Sequence, residues 1–155
     1  MRVLLHVVSA NAAYFVTLIA ALFVSLFCWT RGERPERIAG LAYGACWLLG
    51  TAVSLASVWT TGRFQQPQWL ALASNAAAAA VFLYLTLRHN NPWLCAAVVA
   101  QGAQLGLNVV RRSEGAPGGA LLAGMLLLEL SIMAALIGAT LSAAAQRRAR
   151  PPQAA

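Results

Sequence analysis

The sequence predicts an all-α, polytopic membrane bundle of about five transmembrane helices, and three observations carry that prediction. The 155-residue chain is 60% hydrophobic and 10% charged, whereas ordinary soluble domains carry about 25% charged residues. Five stretches approach or exceed the ~20 mostly apolar residues needed to cross a ~30 Å hydrocarbon core. Nearly all the charge falls in the short connectors between those stretches. Lipid offers no partner to the edge of an open sheet, so the spans are helices.

The first span is Asn11–Thr30. The apolar run before it, Val3–Val8, has about six residues, too short for the 7–15 of a secretory h-region. The second, Ile38–Trp59, is approached through Pro35 and Glu36. Proline fits a first helical turn and a carboxylate there suits the helix dipole. The third is Gln68–Leu87. The fourth, Pro92–Val110, is the weakest, because it carries Gln101, Gln104, Asn108 and two glycines. Without it the count drops to four. The fifth is Gly118–Ser142.

Trp29, Trp59, Trp69 and Trp93 each fall at a span end, where interfacial belts place tryptophan. Trp47 alone lies deep within a span and is expected to pack. Residues 1–146 read as one transmembrane domain and 147–155 as a short basic cytoplasmic tail.

Every cation is arginine, and the chain has neither Lys nor Asp. With abundant alanine, this indicates a GC-rich coding sequence and a bacterial source. A net charge of +7 would fit an acidic partner, but so sparse a charge cannot clothe a soluble nucleic-acid binder, so none is expected. Five spans put Arg2, Arg63, Arg111 and Arg112 on the N-terminal side. Arg31, Arg34, Arg37, Arg88, Arg147, Arg148 and Arg150 fall on the other. The positive-inside rule makes the richer side cytoplasmic, which predicts a bacterial inner-membrane protein with its N-terminus outside and C-terminus inside. Arg31, Arg34, Arg37, Arg147, Arg148 and Arg150 then serve as topology anchors. Each attracts anionic lipid by about 1 kcal/mol.

Glu129 is the only formal charge inside a proposed span. A carboxyl at that depth costs several kcal/mol unless paired, protonated or hydrated, and so marks a functional candidate. Gln101, Gln104 and Asn108 recur at i, i+3 and i+7, forming one stripe that Arg112 continues to the surface. At 1.5 Å per residue, Glu129 lies about 2 Å outward of the midplane, Gln101 near it, and Gln104 and Asn75 about 4 Å outward. Thr17 and Thr51 share that layer. The expected polar cluster is therefore Glu129, Gln101, Gln104, Asn108 and Asn75. It can act as interhelical glue, as a proton- or cation-coupled site, or as a contact with a partner subunit.

Other chemistry is missing. His6 and His89 fall on opposite membrane faces, so no metal or haem centre is expected. No carboxylate pair, activated nucleophile or phosphate-binding loop is present, so no catalytic residue and no cofactor are assigned. Cys28, Cys46 and Cys95 form no C-x-x-C pair and are expected as buried, apolar-like thiols. Gly40-x-x-x-Gly44, Gly50-x-x-x-Ser54, Gly102-x-x-x-Gly106 and Ala134-x-x-x-Gly138 allow close helix approach.

Arg34-Pro35-Glu36-Arg37-Ile38-Ala39 and Asn91-Pro92-Trp93-Leu94, with the helix order, resemble small multi-pass membrane proteins of GC-rich proteobacteria. That resemblance implies the topology and no activity. The expected function is a non-catalytic accessory or assembly subunit of a membrane complex, partnered by lipid and by another membrane protein or a second copy. The alternative is a small oligomeric proton- or ion-coupled transporter or channel using Glu129.

Overall fold

The computed structural model describes residues 11–65, 67–114 and 119–149. Among them are five helices and no strand. They are α1 (Ala12–Arg31), α2 (Arg34–Thr61), α3 (Gln68–His89), α4 (Pro92–Glu114) and α5 (Gly119–Ala149). Each is long and apolar enough to cross a membrane. The fourth span, the doubtful one in the sequence, is a continuous helix of 23 residues that buries Leu94, Ala97, Ala100 and Gln101.

Two helices outrun their predicted spans by more than a turn and a half. α2 has 28 residues and α5 has 31, or about 42 and 46 Å of rise. α2 starts early because of a reciprocal capping box. The Glu33 side chain accepts the Glu36 N–H, and Glu36 Oε2 accepts the Glu33 N–H at 3.1 Å. Such a box satisfies two orphan donors of the first turn. Arg147 and Arg148 continue α5 instead of forming an irregular tail. Arg147 lies 3.6 Å from Glu33 and donates to the Arg31 carbonyl, tying the end of α5 to the α1–α2 connector. Arg150 lies outside the described residues.

Glu36, outside the proposed spans, is a second buried carboxyl, 2% exposed. Asn91 makes that burial tolerable. Its Nδ2 donates to Glu36 Oε1 at 3.0 Å, while its Oδ1 accepts the Trp93 N–H at 3.0 Å and so caps α4. One side chain thus locks the start of α4 to the start of α2.

Each helix packs on its chain neighbours, α1 closes the ring against α5, and α2 also meets α5. The seam between α1 and α2 depends on small residues. A Cβ on Gly40 would lie 2.6 Å from Cys28 Cβ, and one on Gly44 would lie 2.7 Å from Ser25 Oγ. Gly102 and Gly106, of the same spacing, face open space instead. Cys28 is enclosed and accepts a hydrogen bond from Thr140. Cys95 departs from expectation, being exposed on the helix surface.

The apolar core is not centred along the bundle. Ala21 comes from the middle of α1, Val24 and Cys28 from its C-terminal half, Ala39 and Tyr43 from the N-terminal half of α2, and Phe82 and Leu85 from late α3. Leu94 and Ala97 come from early α4, and Ile132 and Leu136 from the middle of α5. In an up-and-down bundle these positions share one end. The other end is left for the site.

Candidate functional site

The less packed end holds a cavity of about 970 Å³. Its walls are the N-terminal parts of α1, α3 and α5 and the C-terminal parts of α2 and α4, with Phe64 and Gln65 of the α2–α3 connector at its rim. Glu129, Gln101, Gln104, Asn108 and Asn75, the five residues of the expected cluster, all line it. The larger cavity therefore lies at the end opposite the apolar core.

Glu129 is 6% exposed and accepts three hydrogen bonds from two helices. Tyr43 Oη and Trp47 Nε1 of α2 donate to Oε1, the latter at 2.8 Å. Gln104 Nε2 of α4 donates to Oε2 at 2.6 Å. A carboxylate only accepts, and three donors converging on it offset the loss of water. No cationic side chain pairs with it among the described residues, where the ion pair formed is Arg147–Glu33.

A second layer supports those donors. Tyr43, Trp47 and Thr51 recur at i, i+4 and i+8 and so share one face of α2. Thr51 Oγ1 donates to the Trp47 carbonyl at 2.8 Å. Its hydrogen is therefore engaged, and Tyr14 Oη of α1 is the donor in the 3.0 Å contact between Tyr14 and Thr51. Tyr14 also lies against the Trp47 ring, at 5.3 Å between centroids, and against Phe64 at 5.1 Å. An aromatic wall thus runs from the carboxyl to the rim.

The α4 stripe splits into separate tasks. Gln101 Nε2 donates to Asn75 Oδ1 of α3 at 2.7 Å, and Asn108 Nδ2 turns back to the Gln104 carbonyl at 3.0 Å. Thr17 bonds its own helix at Ala13 O. The side chain of Arg112 lies outside the described residues. Among the described residues, two amide oxygens, Gln101 Oε1 and Gln104 Oε1, are buried without a partner. For Gln104 the orientation is dictated by chemistry, since only its NH₂ group can face a carboxylate.

Sequence reasoning missed Tyr14 and Tyr43; it gave Trp47 its packing against the core but not the N–H bond to Glu129. The available signal was polar-tipped aromatics deep within spans, because a buried Tyr O–H or Trp N–H needs an acceptor. Cys46 also lines the cavity and donates to Ser74 O at 3.3 Å.

A smaller cavity of about 460 Å³ lies at the opposite end, where His89, Glu33, Glu36 and Asn91 line it. His6 lies outside the described residues. No group of three or more His, Cys, Asp or Glu side chains is placed to hold a metal among the described residues. None of the protein families, curated proteins or solved structures compared with the chain matches it.

Proposed function

We propose that this chain is a multi-pass protein of a bacterial inner membrane that binds a small solute at Glu129 and works as an oligomeric, ion-coupled carrier. The observation that carries the reading is the cavity of about 970 Å³ with a carboxyl at its inner end. Ligand sites typically enclose about 300–1,000 Å³, mostly apolar with a few convergent polar groups. Interhelical glue alone needs the hydrogen bonds and no such space. An intramembrane carboxyl beside a cavity is also the usual mark of an ion or substrate path. The N-out, C-in orientation that the arginines of the sequence predict puts the cavity end of the bundle on the outer side. The reading assigns no catalytic residue.

Cys46 tests it. A membrane-impermeant, water-soluble thiosulfonate applied to the native protein in right-side-out vesicles is expected to modify Cys46 and spare the enclosed Cys28. Modification of Cys46 only after denaturation removes the solvent-connected cavity and with it the carrier.

A second reading, the accessory or assembly subunit, is favoured by Gly102 and Gly106. Both are exposed on α4 with nothing within 4 Å of an added Cβ, so another membrane helix can approach closely there. Copurification in mild detergent separates the two. A defined foreign membrane protein at stoichiometric yield favours the subunit, and a homo-oligomer favours the carrier.

A further inference from the structure

We propose that the Glu129 cavity selects a protonated amine with an apolar body, seating its ammonium among Glu129, Gln101 Oε1 and Gln104 Oε1. This rests on the solute-site reading above and adds the chemical class of the solute.

Charge comes first. Among the described residues, Glu129 is the only carboxylate lining the cavity, and no Arg or His side chain lines it. An anion seated beside Glu129 would meet a negative group and, among the described lining residues, no cation. A positive solute gives the carboxylate the countercharge that the described residues do not supply.

Unmet hydrogen bonds come second. Gln101 is 2% exposed, and its Oε1 and that of Gln104 are both buried acceptors lacking donors. An unpaired buried acceptor costs about 1–3 kcal/mol. Because Gln104 Nε2 is held by Glu129, its oxygen can be satisfied only by a donor from outside the residue. Gln101 sits one turn earlier on the same helix face. A group with several N–H donors and a positive charge answers both deficits, and an ammonium has three N–H donors.

Shape comes third. The cavity, at about 970 Å³, is many times the ~30 Å³ of a water molecule, so a bare ion would leave it mostly unfilled. A hard metal cation also wants six or more oxygens, more than the carboxylate and two amides supply. Toward the rim the lining turns aromatic with Trp47, Tyr14 and Phe64. Those faces suit an apolar body and attract positive charge.

The test uses the full-length protein in detergent and four probes of similar size, measured by titration calorimetry. They are phenethylammonium, its N,N,N-trimethyl derivative, 2-phenylethanol and 3-phenylpropionate. Phenethylammonium is expected to bind at least about tenfold more tightly than each of the others and to slow Cys46 modification. E129Q is expected to weaken it by at least about tenfold. The ranking among probes is read on the unmutated protein, so a variant that fails to fold does not remove the test. Equal or tighter binding of the alcohol or the carboxylate overturns the cation. Equal binding of the trimethyl derivative overturns the role of the amide oxygens. If none binds while Cys46 remains accessible, the amine is wrong and the solute site stands. If Cys46 is inaccessible too, both fall.

Discussion

Trp47 Nε1 donates to Glu129 Oε1 across 82 residues of chain, at 2.8 Å. The contact joins the middle of α2 to the first half of α5, a pair of helices that otherwise meet little. Substituting Trp47 by Phe keeps most of the ring and removes the N–H. The expected loss is about 1–3 kcal/mol, as for a hydrogen bond to a charged group, read as a lower unfolding midpoint in detergent. A Trp47→Phe midpoint equal to that of the native protein would show that the bond contributes nothing.

Glu129 separates two kinds of change. Glu129→Gln retains an acceptor for Tyr43 or Trp47 and is expected to assemble normally while losing solute coupling. Glu129→Leu leaves Tyr43, Trp47 and Gln104 donors unmatched and is expected to cost about 3 kcal/mol or more. Size-exclusion profiles and thermal midpoints of the two variants distinguish them, Leu falling well below Gln.

The polar cluster was legible in the sequence because its spacing is helical and its depth can be counted. Gln101, Gln104 and Asn108 repeat at i, i+3 and i+7, and Glu129 and Asn75 fall at matching heights, so a cavity-lining set follows from the rise per residue. Of the partners of Glu129, Gln104 was legible and the two on α2 were not. Tyr43 and Trp47 are submerged in a hydropathy window dominated by apolar neighbours, and their polar tips declare themselves only when a neighbouring helix supplies the acceptor. The extended ends of α2 and α5 were hidden for a related reason. Hydropathy detects lipid-facing lengths, whereas Glu33, Glu36 and Arg147 prolong the helices by capping and pairing beyond the apolar stretch.

The two glycine pairs predict opposite outcomes. Gly40→Val places atoms within 2.6 Å of Cys28 Cβ and is expected to destabilise by about 1–3 kcal/mol through overpacking. Gly102→Val enters open space and is expected to stay within about 0.5 kcal/mol of the native protein. A fall in Gly102→Val confined to complex formation, with the midpoint of the isolated chain unchanged, identifies that face as a subunit contact.

Asn91→Ala removes both the α4 cap and one of the hydrogen bonds to Glu36. Caps are worth about 0.5–2 kcal/mol, and the stranded Glu36 oxygen adds to that, so a drop of about 2 kcal/mol or more is expected in chemical denaturation. Asn91→Asp keeps the cap but sets a second carboxylate beside Glu36 and is expected to be no better than alanine.

The displaced core makes the two ends of every helix unequal in time as well as in space. Phe82, Leu85, Leu94, Ile132 and Leu136 anchor one end with interlocked apolar side chains, so backbone amides there should exchange with deuterium only on wholesale opening. At the other end, the amides of early α5 and late α2 border a hollow and should exchange through small local breathing. The bundle is then a set of rods fixed at one end, and any conformational change it makes should pivot about that fixed end.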